Sequence, residues 1–103
     1  MQPKAHFIAL LSYLRTEEGG RKAPASAGYR PGIKFPFHQD LITGSQNFIG
    51  TENVFPGDSV KAEITLIHPE KLNEPLYPGL DFEFYEGQNR IGRGTIIKLL
   101  DAR

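Results

Sequence analysis

Residues 59–67 (SVKAEITLI) carry the clearest pattern in the chain. Val60, Ala62, Ile64 and Leu66 alternate with Ser59, Lys61, Glu63 and Thr65. A period of two puts the apolar set on one face of an extended strand, so this segment predicts a half-buried strand. Residues 80–85 repeat the pattern, with Leu80, Phe82 and Phe84 inward. In 33–38 (IKFPFH), Ile33, Phe35 and Phe37 point one way. Pro36 has no N–H to give a ladder and suits an edge or a bulge. Residues 4–14 (KAHFIALLSYL) hold no glycine or proline and predict a strand covered in part on both faces, with a short helix as the competing reading. Gln46–Ile49 predicts a short strand between turn residues. Residues 90–100 (RIGRGTIIKLL) predict the last strand. Gly92 and Gly94 lie two apart, on one face, where they relieve crowding at a barrel bend or let another backbone approach.

The connections are marked by glycine and proline. Glu86-Gly87-Gln88-Asn89 reads as a hairpin connection and Pro56-Gly57 as a tight turn. Thr16–Pro31 contains Gly19-Gly20, Pro24, Gly28 and Pro31, so it is a long excursion with a short extended piece around residues 25–29. Residues 68–79 hold three prolines and a glycine and predict a long ordered loop. Five to seven strands, no ten-residue helix and no β-α-β spacing define a small all-β fold. Closing the sheet removes its edges, which favours a barrel. Residues 1–103 read as one domain, without repeat or linker.

Composition narrows the chemistry. The chain is 39% hydrophobic and 23% charged, which suits a compact fold over disorder. It has no cysteine, so disulfides, thiolate metal sites and cysteine nucleophiles are excluded. Twelve basic residues meet twelve acidic ones, but unevenly. Residues 1–38 carry six basic side chains against Glu17 and Glu18; residues 39–86 carry nine acidic ones against Lys61 and Lys71. Basic residues return after Gly87 as Arg90, Arg93, Lys98 and Arg103. Two basic ends around an acidic middle allow opposed charged faces, or unrelated solvated loops. No apolar run approaches ~18 residues and no signal peptide is read, so a cytoplasmic protein away from the membrane is expected.

No nucleotide-binding signature is present: Gly92-Arg93-Gly94 lies inside a strand pattern, not between a strand and a helix. His6, His38 and His68 show no ligand spacing, so no metal and no cofactor are expected. His6 reads as a hydrogen-bonded structural residue and His68 as a surface residue at a strand end. The serines lack a nucleophile-elbow context, and no catalytic residue is expected. Glu17-Glu18 suggests charge pairing with Arg21 or Arg30. Arg21, Lys22, Arg30 and Lys34, with Tyr29 among them, form a basic loop. It could clamp phosphates, with Tyr29 stacking, or hold structural ion pairs while Tyr29 seals the barrel end. Pro31 biases Arg30 toward extended backbone, which lowers the entropy cost of using it.

Several motifs in one order carry a resemblance. Glu17-Glu18-Gly19-Gly20-Arg21, Pro24 and Gly28-Tyr29-Arg30-Pro31 come first. Thr43-Gly44, Phe55-Pro56-Gly57-Asp58, Leu66-Ile67-His68-Pro69 and Gly79-Leu80 with Phe82 follow. Glu86-Gly87 and Ile91-Gly92-Arg93-Gly94 close the series. Together they resemble the third, C-terminal domain of elongation factor Tu over about residues 5–100. The resemblance implies a six-stranded closed antiparallel barrel. In that family the domain packs on a GTPase domain and a second barrel, touches the T-stem backbone of aminoacyl-tRNA, and contributes to contact with the exchange factor. This chain would then be a free-standing relative or an excised piece, without GTPase activity.

By resemblance, Thr43, Glu86 and Gly87 match positions that approach the tRNA backbone. The family pattern has arginine where Tyr85 stands and glutamine where Gly32 stands. Its hairpin arginine is Asn89 here, with Arg90 one place later. A scaffold kept while its tRNA surface changes predicts a non-catalytic module that binds a protein partner. Binding of the tRNA backbone is the alternative. The residues expected to carry either are Arg21, Lys22, Tyr29, Arg30, Thr43, Glu86, Gly87 and Arg90. A former interdomain face should leave an apolar patch that weak self-association could bury.

Overall fold

The computed structural model describes residues 4–100. Eight strands are formed: β1 (Phe7–Tyr13), β2 (Ala25–Ser26), β3 (Gly32–Lys34), β4 (Ile42–Phe48), β5 (Asn53–Val54), β6 (Ser59–Leu66), β7 (Asp81–Glu86) and β8 (Asn89–Leu99). Six close into an antiparallel barrel in the order β1-β6-β4-β3-β7-β8, with β8 pairing back onto β1. The remaining two, β2 and β5, make a small separate ladder. Thr16–Glu18 and Pro69–Lys71 are single 3-10 turns, the only helical segments among the described residues. The expected all-β six-stranded closed barrel is therefore what the chain builds.

Alternation explains the barrel. Along β1, Phe7, Ala9, Leu11 and Tyr13 are buried, and they meet Ala62 and Ile64 from β6. Phe82 and Phe84 enter from β7, Ile33 from β3, and Phe35 from just beyond it. The aromatic rings meet edge to face: Phe7–Phe82 centroids are 5.8 Å apart and Tyr13–Phe84 centroids 5.1 Å apart. Such geometry adds roughly 0.5–1.5 kcal/mol per pair beyond area burial.

β8 must give way to these rings. A Cβ on Gly92 would strike the Phe84 ring, and one on Gly94 would strike Phe82 and Leu11. The expected relief of crowding is real, and side-chain rings of the paired strand cause it, not an approaching backbone. Gly87, at φ 62°, makes the two-residue turn between Glu86 and Asn89 that the sequence predicts.

Two expected strand limits move. The short strand at Gln46–Ile49 is the end of a longer β4 that begins at Ile42. The sequence predicts turn residues before Gln46, but Gly44 is a strand residue whose missing Cβ admits the Ile33 side chain. The strand at 33–38 stops at Lys34, because Pro36 starts a turn closed by the His38 N–H on the Phe35 carbonyl at 3.1 Å.

His6 fastens the barrel seam. Its backbone N–H donates to Ile64, its carbonyl accepts from Leu100, and its Nδ1 accepts the Leu66 N–H at 3.0 Å. Burial holds its pKa below the ordinary 6.5. Only neutral imidazole can accept at Nδ1, so protonation breaks that hydrogen bond.

Two outcomes follow from this packing. Gly92→Ala should lower unfolding stability by about 1–3 kcal/mol in urea titrations, and Phe84→Leu in that background should restore part of the loss. Because the His6 pKa is lowered on folding, the unfolded chain takes up the proton first. Stability is full above the unfolded value and falls as pH drops through the folded one. Thermal melts from about pH 7.5 to about pH 5 should show the decline, and His6→Gln, which keeps an acceptor but does not titrate, should flatten it.

Candidate functional site

The excursion between β1 and β3 forms a strap along the barrel. It opens with a 3-10 turn in which the Glu18 carboxylate accepts the Arg15 N–H at 3.0 Å. Gly19 follows in the left-handed conformation at φ 99°. Backbone hydrogen bonds pin the far end: Ala27 donates to Glu52, Gly28 to Gln46, and Gln46 to Tyr29. The β2–β5 ladder adds Ala25 opposite Val54.

Side chains then clasp the strap to the β7–β8 hairpin. The Arg21 guanidinium donates to Glu86 Oε1, and the Tyr29 hydroxyl donates to the same oxygen. Arg21 Cζ lies 4.6 Å from the centroid of the Tyr29 ring, a cation–π contact. Arg21 Nε also donates to the Ala23 carbonyl at 3.2 Å. Burial and then the hydrogen bond to Glu86 push the Tyr29 pKa up to about 12, so the phenol stays a donor at neutral pH. The charge partner of Arg21 is thus Glu86, not Glu17 or Glu18 as expected. The Glu18 carboxylate is engaged locally in capping.

A second ion pair lies on the same β7–β8 hairpin. Arg90 donates to Glu83 at 2.9 Å, and the Tyr85 hydroxyl donates to the same carboxylate at 3.0 Å. The hydrogen bond from Arg90, above all, holds the Glu83 pKa below the usual carboxylate range, and Tyr85 helps. Gly32 is register partner to both Thr43 and Tyr85, and Tyr85 is opposite Arg90. Thr43, Gly32, Tyr85 and Arg90 therefore form one row across β4, β3, β7 and β8. Two of the departures from the family pattern, Gly32 and Tyr85, stand side by side in it. The exposed Leu41 side chain lies over Gly32, 3.0 Å from where a Cβ would be.

The eight expected residues fall into two neighbouring groups. Arg21, Tyr29, Glu86 and Gly87 meet where strap and hairpin touch, with exposed Lys22 beside Arg21. Thr43 and Arg90 lie in the adjacent row. Arg30 is exposed and sits two residues before Gly32. Sequence reasoning missed Glu83, which neutralises Arg90, and the buried Tyr13–Gln46 hydrogen bond beneath the strap. A glutamine at an inward position of an alternating strand was the signal that pointed to the latter. Among the described residues, no group of three or more histidine, cysteine or acidic side chains is placed to hold a metal ion.

The geometry defines a closed six-stranded β-barrel belted by a strap that is clasped to one hairpin. Compared with protein-family models, the chain matches the elongation factor Tu C-terminal domain over residues 1–100. It belongs to that family and is a translation-factor-derived domain. No helix among the described residues is long and apolar enough to cross a membrane.

The clasp is partly exposed, with side-chain accessibilities of 20% for Arg21 and 55% for Glu86, so it adds little global stability. Arg21→Ala should cost about 0.5–1 kcal/mol overall. It should speed hydrogen exchange in residues 16–31 several-fold while leaving β6 unchanged. Unaltered exchange there would mean that the backbone ladder alone holds the strap.

Proposed function

We propose that the chain, acting as one domain over residues 1–103, is a non-catalytic protein-binding module derived from the elongation factor Tu C-terminal domain, without GTPase activity. The observation that supports this most is internal neutralisation of two of the four cations expected at the site. Arg21 is paired with Glu86 and Arg90 with Glu83. A phosphate approaching either guanidinium must displace a carboxylate and face its charge. Where the family pattern has arginine and glutamine, Tyr85 and Gly32 give a neutral patch with Leu41. Aromatic and apolar groups beside satisfied charges suit a protein partner better than a polyanion. A cytoplasmic location goes with this reading.

The alternative, contact with a tRNA backbone, draws on Lys22 and Arg30. Both are exposed, and neither has a hydrogen-bond or ion-pair partner among the described residues. Thr43 and Gly87 are exposed as well.

Anisotropy of labelled tRNA at about 50 mM salt separates the two. The protein-binding reading expects a flat titration into the tens of micromolar range, on the order of non-specific binding or weaker. It also expects the Glu83→Gln, Glu86→Gln double variant, with both arginines released, to gain roughly tenfold in RNA affinity. Tight, steeply salt-dependent binding by the unaltered chain would establish the RNA reading instead.

A further inference from the structure

Beside the hairpin, the outer face of the barrel carries a groove of about 770 Å³ over β7, β8 and β1. Leu10, Ser12, Lys34, Tyr85, Arg93 and Thr95 are among its walls. Its acidic groups are already engaged. Glu83 accepts from Arg90 and Tyr85, and Asp81 accepts from the Thr95 hydroxyl. Lys34 is turned onto the carbonyls of Phe35 and His38. Arg93 differs: it is exposed, and its guanidinium has no hydrogen bond or ion pair among the described residues. Leu10 presents apolar surface at 44% exposure.

The register puts three of these side chains on one line. Arg93 is opposite Glu83 on β7 and opposite Ser12 on β1. Strands β7 and β1 run the same way, both antiparallel to β8. Tyr85 lies two residues after Glu83, and Leu10 lies two residues before Ser12. Leu10 is therefore a diagonal neighbour of Arg93, and Tyr85, which lies past the register shift after Phe84 and opposite Arg90, flanks Arg93 on the other side. Diagonal neighbours in a sheet are about 7–8 Å apart. Same-face side chains of an extended peptide repeat every two residues, about 6.6–6.8 Å. The two spacings are similar on the Leu10 side, and Tyr85 stands on the other side of Arg93.

We propose that this groove docks an extended segment of a partner protein with the pattern apolar–x–acidic–x–apolar. The central carboxylate meets the free fork of Arg93, and the flanking side chains pack on Tyr85 and Leu10. The barrel is closed, so its strands offer no free edge for an added strand, and side chains carry the recognition. A second copy is a poor donor. Its Leu72-Asn73-Glu74-Pro75-Leu76 has the pattern, but both leucines pack against their own core. The inference rests on the protein-binding reading and names the chemistry of the partner. Arg93 took no part in the argument for that reading, so the two fail separately.

The test uses the full chain and a fluorescein-labelled synthetic peptide with a leucine–serine–glutamate–serine–leucine core. A twin peptide carries lysine for the glutamate. The expected result is saturable binding of the glutamate peptide, weakened at least about tenfold by Arg93→Glu and preference for the lysine twin in that variant. Leu10→Ser should weaken both pairings, with melting curves confirming that each variant is folded. Equal affinity for the two peptides, no saturable binding, or indifference to Arg93→Glu would overturn the proposal. Salt-sensitive tRNA binding abolished by Arg93→Glu would assign the groove to phosphate and overturn it too. A dimer in sedimentation that the same variant dissolves would hand the groove to a second copy and equally overturn it.

Discussion

The rings of Phe82 and Phe84 lie over the backbone of the neighbouring strand β8, and the rest of the structure follows from the space left for them. Glycine at 92 and 94 lets β8 lie close enough to pair with β7 on one side and β1 on the other. Without that double pairing the sheet has two edges and no closed interior. With it, Phe7, Phe35 and Tyr13 can complete a core of interlocking rings. A small chain has few residues with which to fill a barrel. Aromatic side chains supply the volume, and the glycines opposite supply the clearance.

Closure also fixes where the surface chemistry sits. The β7–β8 hairpin ends in a two-residue turn, so Glu86 is held within a residue of the barrel rim. From there it receives both Arg21 and Tyr29, which arrive on the strap. One carboxylate thus organises a loop that could not bury much apolar surface of its own. Three residues earlier on β7, Glu83 accepts from both Arg90 and Tyr85. The outer surface at this end is a mosaic of satisfied pairs and apolar patches. The free guanidinium of Arg93 stands apart from it.

The parts of this picture legible in sequence are those set by local physics. β6 and β7 are read from alternation because each has one wet and one dry face. The hairpin is read from Gly87 and the strap from its run of glycine and proline. The start of β4 was hidden because Gly44 stands in the strand for the sake of Ile33, a residue on a neighbouring strand. The same limit applied to the site. Arg21, Tyr29 and Glu86 were all singled out, but the bond between Arg21 and Glu86 joins residues 65 apart. Spacing along the chain has no means of pairing them, and nearer carboxylates at 17 and 18 were the reasonable candidates. Glu18 is already occupied, because it caps the turn in which it sits.

At the His6 seam the two ends of the barrel meet. The carbonyl of His6 accepts the N–H of Leu100, so the first strand starts where the last one finishes. A chain that enters and leaves a fold at one point can be spliced into a loop of another protein with little stretching of its host. A short tether across the same point would let new termini be opened elsewhere, for instance in the proline-rich segment before β7. The barrel is in this sense a cassette, transplantable as a unit because its two ends share a doorway.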